Sequence, residues 1–228
     1  MIAVMNPLVG TCAICGQIIG KAQMAGHLKT CLNNETVKPG GKPTARLHLL
    51  VAGRYQPEYW LYLDVPVAAS LIKLDAFLRS IWLECCGHLS AFTIDGKRYS
   101  SHPLDDVPGW GRKEQSMQFR LDKVLRPGMK FFHEYDFGTT THLMLKVIGE
   151  REGIPGKAGI RLLARNEPPV ILCVSCGKPA TRVCGICFHS GDAWFCQTCA
   201  SRHQCEGGGE AFLPVVNSPR TGLCGYTG

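Results

Sequence analysis

Between Ala45 and Arg165 apolar residues recur at two spacings, every second position as in strands and every third or fourth as in a helix. Ala45 to Ala52 alternates loosely and reads as a strand, and Tyr59 to Val65 as a second, with Arg54 to Pro57 as the turn between them. Leu71, Leu74, Leu78, Ile81, Trp82 and Cys85 form the apolar stripe of a helix, opened by Ser70 as N-cap and stopped by Gly87. His88 to Ile94 predicts a strand ending in an Asp95-Gly96 turn, and Ser101 to Gln115 a polar, exposed excursion. Met117 to Leu125 reads as a short strand or turn segment. Phe131 to Phe137 and Thr140 to Gly149 meet at Gly138 as a hairpin, with Leu143, Leu145 and Val147 on one side and His142, Met144 and Lys146 on the other. Ile160 to Arg165 is the last strand. The expected fold class is α+β, an antiparallel sheet packed on one main helix and flanked by small zinc-binding modules.

At both ends the alternation gives way to cysteines. Cys12-x2-Cys15 is followed after eleven intervening residues by His27 and, after three more intervening residues, by Cys31. A knuckle followed by a helix that presents His27 and Cys31 one turn apart closes tetrahedrally around zinc. The second run is Cys173, Cys176, Cys184, Cys187, Cys196, Cys199, His203 and Cys205, the eight soft ligands that two tetrahedral zinc ions need. Only seven residues separate Cys176 from Cys184, which favours an interleaved cross-brace. It places Cys173, Cys176, Cys196 and Cys199 on one ion and Cys184, Cys187, His203 and Cys205 on the other. Sequential pairing is the alternative, and His189 rivals His203. The resulting organisation is a finger of three cysteines and one histidine over 1–35, a linker over 36–43, an α+β domain over 44–167, and a two-zinc module with a Gly/Pro-rich tail over 168–228.

Composition then constrains the setting. The cysteines fall in knuckle spacings, and no secretory leader or bilayer-spanning apolar run is seen, so a cytoplasmic, non-membrane protein with metal-bound thiols is expected. The formal charge is +7, but ten thiolates against the six positive charges of three zinc ions lower it to about +3. The basic signal for nucleic acid is modest.

Three further residues, Cys85, Cys86 and His88, are of metal-ligand or nucleophile type. They lack a visible fourth partner, and Cys85 on the helix stripe reads as a small core residue. Cys224 is the odd cysteine, assigned to packing or to replacing Cys205. As catalytic groups, His88, Cys86, Asp136, His133 and His142 could converge if the hairpin packs over the His88 strand. Asp136-Phe137-Gly138 matches a kinase triplet, but no phosphate loop, His-Arg-Asp element, paired carboxylates or serine elbow accompanies it.

The run Trp82-Leu83-Glu84-Cys85-Cys86-Gly87-His88-Leu89-Ser90-Ala91-Phe92, together with Tyr135-Asp136-Phe137-Gly138, resembles the plasmid pRiA4b ORF-3-like family. The resemblance covers about Thr44 to Arg165, and the tail from Leu213 to Gly228 is similar to that of the longer, zinc-bearing members. It implies an α+β domain with one main helix against an antiparallel sheet, and brings no established activity. Many members carry an acidic residue and Trp after the Tyr-Asp-Phe-Gly piece, where this chain has Thr139-Thr140-Thr141-His142.

The function expected is binding of a macromolecule, with RNA or DNA slightly ahead of a protein partner and catalysis third. Lys21 and Lys29 on the finger, and a track of Arg46, Arg151, Lys157, Arg161, Arg165, Arg182 and Arg202, are the candidate phosphate contacts. Trp194 and Phe195 beside Cys196 are expected to pack against the knuckle rather than stack on bases.

Overall fold

Leu47, Leu49 and Val51 on one strand and Leu61, Leu63 and Val65 on its neighbour are all buried on the same face, as period-two alternation requires. The computed structural model describes residues 8–35, 44–103, 114–153, 159–205 and 211–228. The expected linker 36–43, most of the polar excursion and Lys157 lie outside the described residues.

In chain order the N-terminal elements are β1 (Val9–Cys12), β2 (Ile18–Gly20) and α1 (Lys21–Asn33). The centre comprises β3 (Thr44–Gly53), β4 (Trp60–Pro66), α2 (Leu71–Leu78), β5 (Ser90–Ile94), β6 (Lys97–Ser100), β7 (Gln115–Ser116), α3 (Leu121–Val124), β8 (Lys130–Tyr135), β9 (Thr141–Gly153) and β10 (Arg161–Asn166). Last come β11 (Arg182–Cys184), β12 (Trp194–Phe195), α4 (Gln197–Ala200) and β13 (Phe212–Pro214). One ten-stranded sheet runs β2-β1-β10-β4-β3-β9-β8-β5-β6-β7, and a separate small sheet runs β12-β11-β13. Among the described residues of the large sheet, only β6 and β7 pair in parallel. The molecule is α+β with an antiparallel-dominated sheet, and no helix among the described residues is long and apolar enough to cross a membrane.

Both faces of the sheet carry a helix. On one, Leu71, Leu74 and Leu78 of α2 and Trp82 pack on Leu49, Leu63, Phe131, Leu145 and Val147. On the other, Met24, Leu28 and Leu32 of α1 pack on Ala52, Trp60, Tyr62 and Leu163. The N-terminal module is joined to the large sheet through its strand, because β1 pairs with β10.

The two ends of α2 depart from the expected pattern. Ser70 stands at its N-cap, but the hydroxyl makes no capping bond; Leu71 and Ile72 donate their N–H groups to the carbonyls of Phe119 and Met117 at 2.9 Å. The orphan donors of the helix are thus met by neighbouring backbone. Beyond Leu78 the helix widens into a π turn over Arg79–Leu83, closed by Glu84 N–H to Arg79 C=O at 2.9 Å. Widening breaks the 3.6-residue period. Cys85, just past the widened turn, is half-buried and packs against the main core from its edge.

Candidate metal centres

The two knuckles that are followed by glycine fold alike. Gly16 N–H donates to Cys12 C=O at 2.8 Å and Gly177 N–H to Cys173 C=O at 2.9 Å, turning the chain so that both sulfurs of each pair point inward. Gly16 and Gly177 adopt φ of +75° and +69°, a left-handed conformation that costs glycine least.

Around the first knuckle the structure gathers Cys12, Cys15, His27 and Cys31 into one cluster, all ligand atoms within 4.8 Å of one another. His27 Nε2 lies 3.2 Å from Cys15 Sγ and 3.3 Å from Cys31 Sγ. Helix α1 supplies His27 and Cys31 from successive turns while it buries Met24 and Leu28 against the sheet. The metal-ligating face is therefore held by packing as well as by any ion.

At the other end the eight ligand-type residues form two interleaved groups: Cys173, Cys176, Cys196 and Cys199 in one, and Cys184, Cys187, His203 and Cys205 in the other. Cys176 and Cys196 sulfurs are 3.7 Å apart, Cys187 and Cys205 3.5 Å, and His203 Nε2 is 3.4 Å from Cys187. His189 is exposed with its ring against Phe188 and belongs to neither group. Trp194 and Phe195 are buried in the small core between the groups, and the Phe195 ring lies 4.3 Å from that of His203.

A fourth cluster holds Cys85, Cys86, His88 and Cys224. Four clusters able to hold a metal ion among the described residues, where the sequence predicted three, is the main correction, and Cys224 is the fourth member of the added cluster. Nothing in the spacing signalled it, since Cys224 lies 136 residues from His88. The four clusters take up all thirteen cysteines of the chain, together with His27, His88 and His203.

Electrostatics inside the clusters are compatible with a cation. Cys15 is lowered to about 7 chiefly by the Gln17 N–H, whereas burial and the neighbouring Cys15 push Cys31 up to about 12. For Cys173, burial would raise the thiol, but the N–H groups of Cys196, Ser175 and Cys176 outweigh it and bring it to about 6. Its companion Cys199 is pushed up to about 12 by hydrogen bonds to Cys176 and Cys196. Cys184 and Cys205 repeat the division, at about 7 and about 12. The first thiolate forms readily and then opposes the next, a repulsion that a bound dication reverses. Sulfur and imidazole donors spaced this way suit a tetrahedral ion of borderline softness.

The proposed catalytic residues do not converge. His133 is fully buried under α2, its Nε2 2.7 Å from Asp75 Oδ1. His142 lies beside Glu134, at 3.5 Å, and edge-on to Tyr55. Only His88, Cys86 and Asp136 share a neighbourhood. Burial would raise Asp136, but the Arg220 guanidinium and the Thr139 and Gly138 N–H groups hold it below the usual carboxylate range, which makes it a weak base. Two clefts, of about 470 and 320 Å³, are lined by residues such as Lys73 and Phe77, and Lys29 and His48; neither includes these three.

The arginine track is largely spent on internal pairing. Arg46, Arg151 and Arg161 all reach the buried carboxylate of Asp64, at 2.7, 2.8 and 3.5 Å. Arg161 also pairs with Glu35, and Arg165 donates to Asn217 C=O. Lys21 donates to Pro57 C=O at 2.6 Å. Arg202 and Lys29 remain exposed, and Arg182 is half-exposed with Gln197 as partner.

No family model matches the sequence, and no curated protein matches it either. Among solved structures the chain is similar to a protein of unknown function, MM3350, from Methanosarcina mazei Go1. The identity is 16% and the TM-score 0.42, over 56% of this chain and 67% of that one.

Proposed function

We propose that this is a zinc-stabilised, non-enzymatic protein whose metal modules dock a macromolecular partner, and that the partner is a protein. Zinc is the ion that suits tetrahedra of four cysteines, or of three cysteines and one histidine, and structural sites of this kind are closed, with no open position for a substrate. The observation that carries the choice of partner is the surface of the knuckles. Their tips expose Val174 and Ile186, at 46% and 44%, while most arginines of the expected phosphate track are paired internally.

Charge supports the same side. Between Pro168 and Cys205 the charged side chains are Lys178, Arg182, Arg202 and Asp192. Seven thiolates against two dications leave the loaded module at about −1, a poor match for phosphate. RNA or DNA is the second reading, favoured by the formal +7 of the whole chain and by exposed Lys29, Lys178 and Arg202. Similarity to the plasmid pRiA4b ORF-3-like family is part of this proposal. Its two motifs lie side by side here, with Ser90 opposite Tyr135 and Asp136 N–H on Leu89 C=O at 2.9 Å.

The test is binding of zinc-loaded protein to duplex DNA, single-stranded DNA and structured RNA across a salt series, beside partner capture with wild type and a Val174→Asp, Ile186→Asp double variant. Protein docking predicts no steeply salt-dependent nucleic-acid binding and a captured partner that the double variant loses. Micromolar or tighter nucleic-acid binding with a steep log–log salt slope overturns it in favour of the second reading.

A further inference from the structure

We propose that Cys85, Cys86, His88 and Cys224 form a fourth zinc site, a clasp that ties the C-terminal tail to the central sheet. This goes beyond docking by the terminal modules, and concerns how the tail is held. Cys86 Sγ is 3.9 Å from Cys224 Sγ, and His88 Nε2 is 3.2 Å from Cys224 Sγ. Zinc–sulfur bonds of about 2.3 Å place two tetrahedral sulfurs about 3.8 Å apart, which is close to the Cys86–Cys224 separation, and all four ligand atoms lie within 4.8 Å of one another. This sulfur–sulfur distance resembles the 3.7 Å between Cys176 and Cys196 in the C-terminal module. A disulfide would bring two of the sulfurs to about 2 Å.

Backbone and surroundings are shaped for the cluster. Gly87, at φ +74°, reverses the chain between Cys86 and His88, and its N–H donates to Glu84 Oε1 at 2.6 Å. Arg220, fully buried, donates to Cys85 Sγ at 3.3 Å and to Asp136 Oδ2 at 2.7 Å, placing a fixed positive charge behind the thiolate. The tail reaches this point on contacts of its own: Ser218 Oγ donates to Trp82 C=O at 2.7 Å, and Trp82 Nε1 to Asn217 C=O at 3.1 Å. A Cys–His–Asp nucleophile is the rival arrangement, and the geometry disfavours it. Cys224 and Asp136 both approach the same ring nitrogen, His88 Nε2, whereas a triad needs one on each.

The full-length protein, expressed with zinc and never exposed to chelating resin, should carry four zinc ions per chain by elemental analysis, and Cys224→Ser should carry three. Hydrogen exchange over 215–228 should quicken in Cys224→Ser, while 173–205 keeps its protection. Three ions in both proteins, unchanged exchange of the tail, or a Cys86–Cys224 disulfide in non-reducing peptide mapping each overturns the clasp, and three ions would leave the zinc-module reading intact. Should Cys224→Ser fail to fold, cobalt titration of the metal-free wild type decides. Thiolate-to-cobalt absorption should rise until four equivalents are bound, and saturation at three overturns the site.

Discussion

His48 lies on β3 with its ring 5.3 Å from that of Tyr62, and its buried Nε2 has no hydrogen-bond partner. Burial pushes its pKa down to about 4, Arg151 adds to the effect, and Asp64 opposes it. In the unfolded chain the ring takes up a proton below about pH 6.5, in the folded chain only near 4, so acidification between these values favours unfolding. The loss reaches up to about 3 kcal/mol and is absent above pH 7. Urea unfolding at pH 7 and pH 5 should therefore show a steeper loss for wild type than for His48→Leu, with zinc release common to both. An NMR titration of the ring near 6.5 would refute the assignment. The same neighbourhood shows what part of the arginine track does inside the fold. Arg46, Arg151 and Arg161 are indistinguishable in sequence from surface cations, and only the pairing of β3 with β4 and β9, and of β10 with β4, brings them to Asp64.

At the scale of elements, what was legible was what alternation and turn residues encode locally. The strands β3, β4, β5, β8, β9 and β10 begin and end within a few residues of their expected limits, whereas β6 and β7 were not foreseen and the expected strand or turn over Met117 to Leu125 contains the helix α3; Asp95-Gly96 makes its tight turn with φ of +47° and +73°. What escaped depended on partners distant in the chain. The π turn after α2 has no signature in the apolar spacing, and β1 is a strand because β10 offers an edge to pair with. That edge gives Gly10 its role. A Cβ there would collide with the Arg165 carbonyl and the Trp60 ring, neither of which is a flexible side-chain end. Gly10→Ala should therefore part β1 from β10 and destabilise the N-terminal module by about 1–3 kcal/mol, read as faster hydrogen exchange in β1 and α1. Unchanged protection there would show that β1 is not held at this contact.

Over the whole molecule, the two ends should depend on metal to different degrees, although in sequence they look alike as knuckle modules. The C-terminal module has a small core of its own, with Cys173, Cys184 and Cys196 among its buried residues, and a three-stranded sheet separate from the large one. With metal bound at its two clusters, chelation would remove the centres that hold the two knuckles together and leave closely spaced thiols whose ionisation is mutually opposed. The N-terminal module shares its core with the main sheet, since Met24 and Leu28 are fully buried against Trp60, Tyr62 and Leu163. Burial of such side chains contributes about 1.5–3 kcal/mol each without any metal. Chelation under reducing conditions should therefore abolish exchange protection across Cys173 to Cys205, leave the central strands β3, β4 and β9 protected, and only loosen α1. Hydrogen-exchange mass spectrometry before and after chelator separates these responses. If α1 exchanged as fast as the C-terminal knuckles, the apolar contacts on the sheet would not be holding the helix, and metal alone would have to account for its place in the fold.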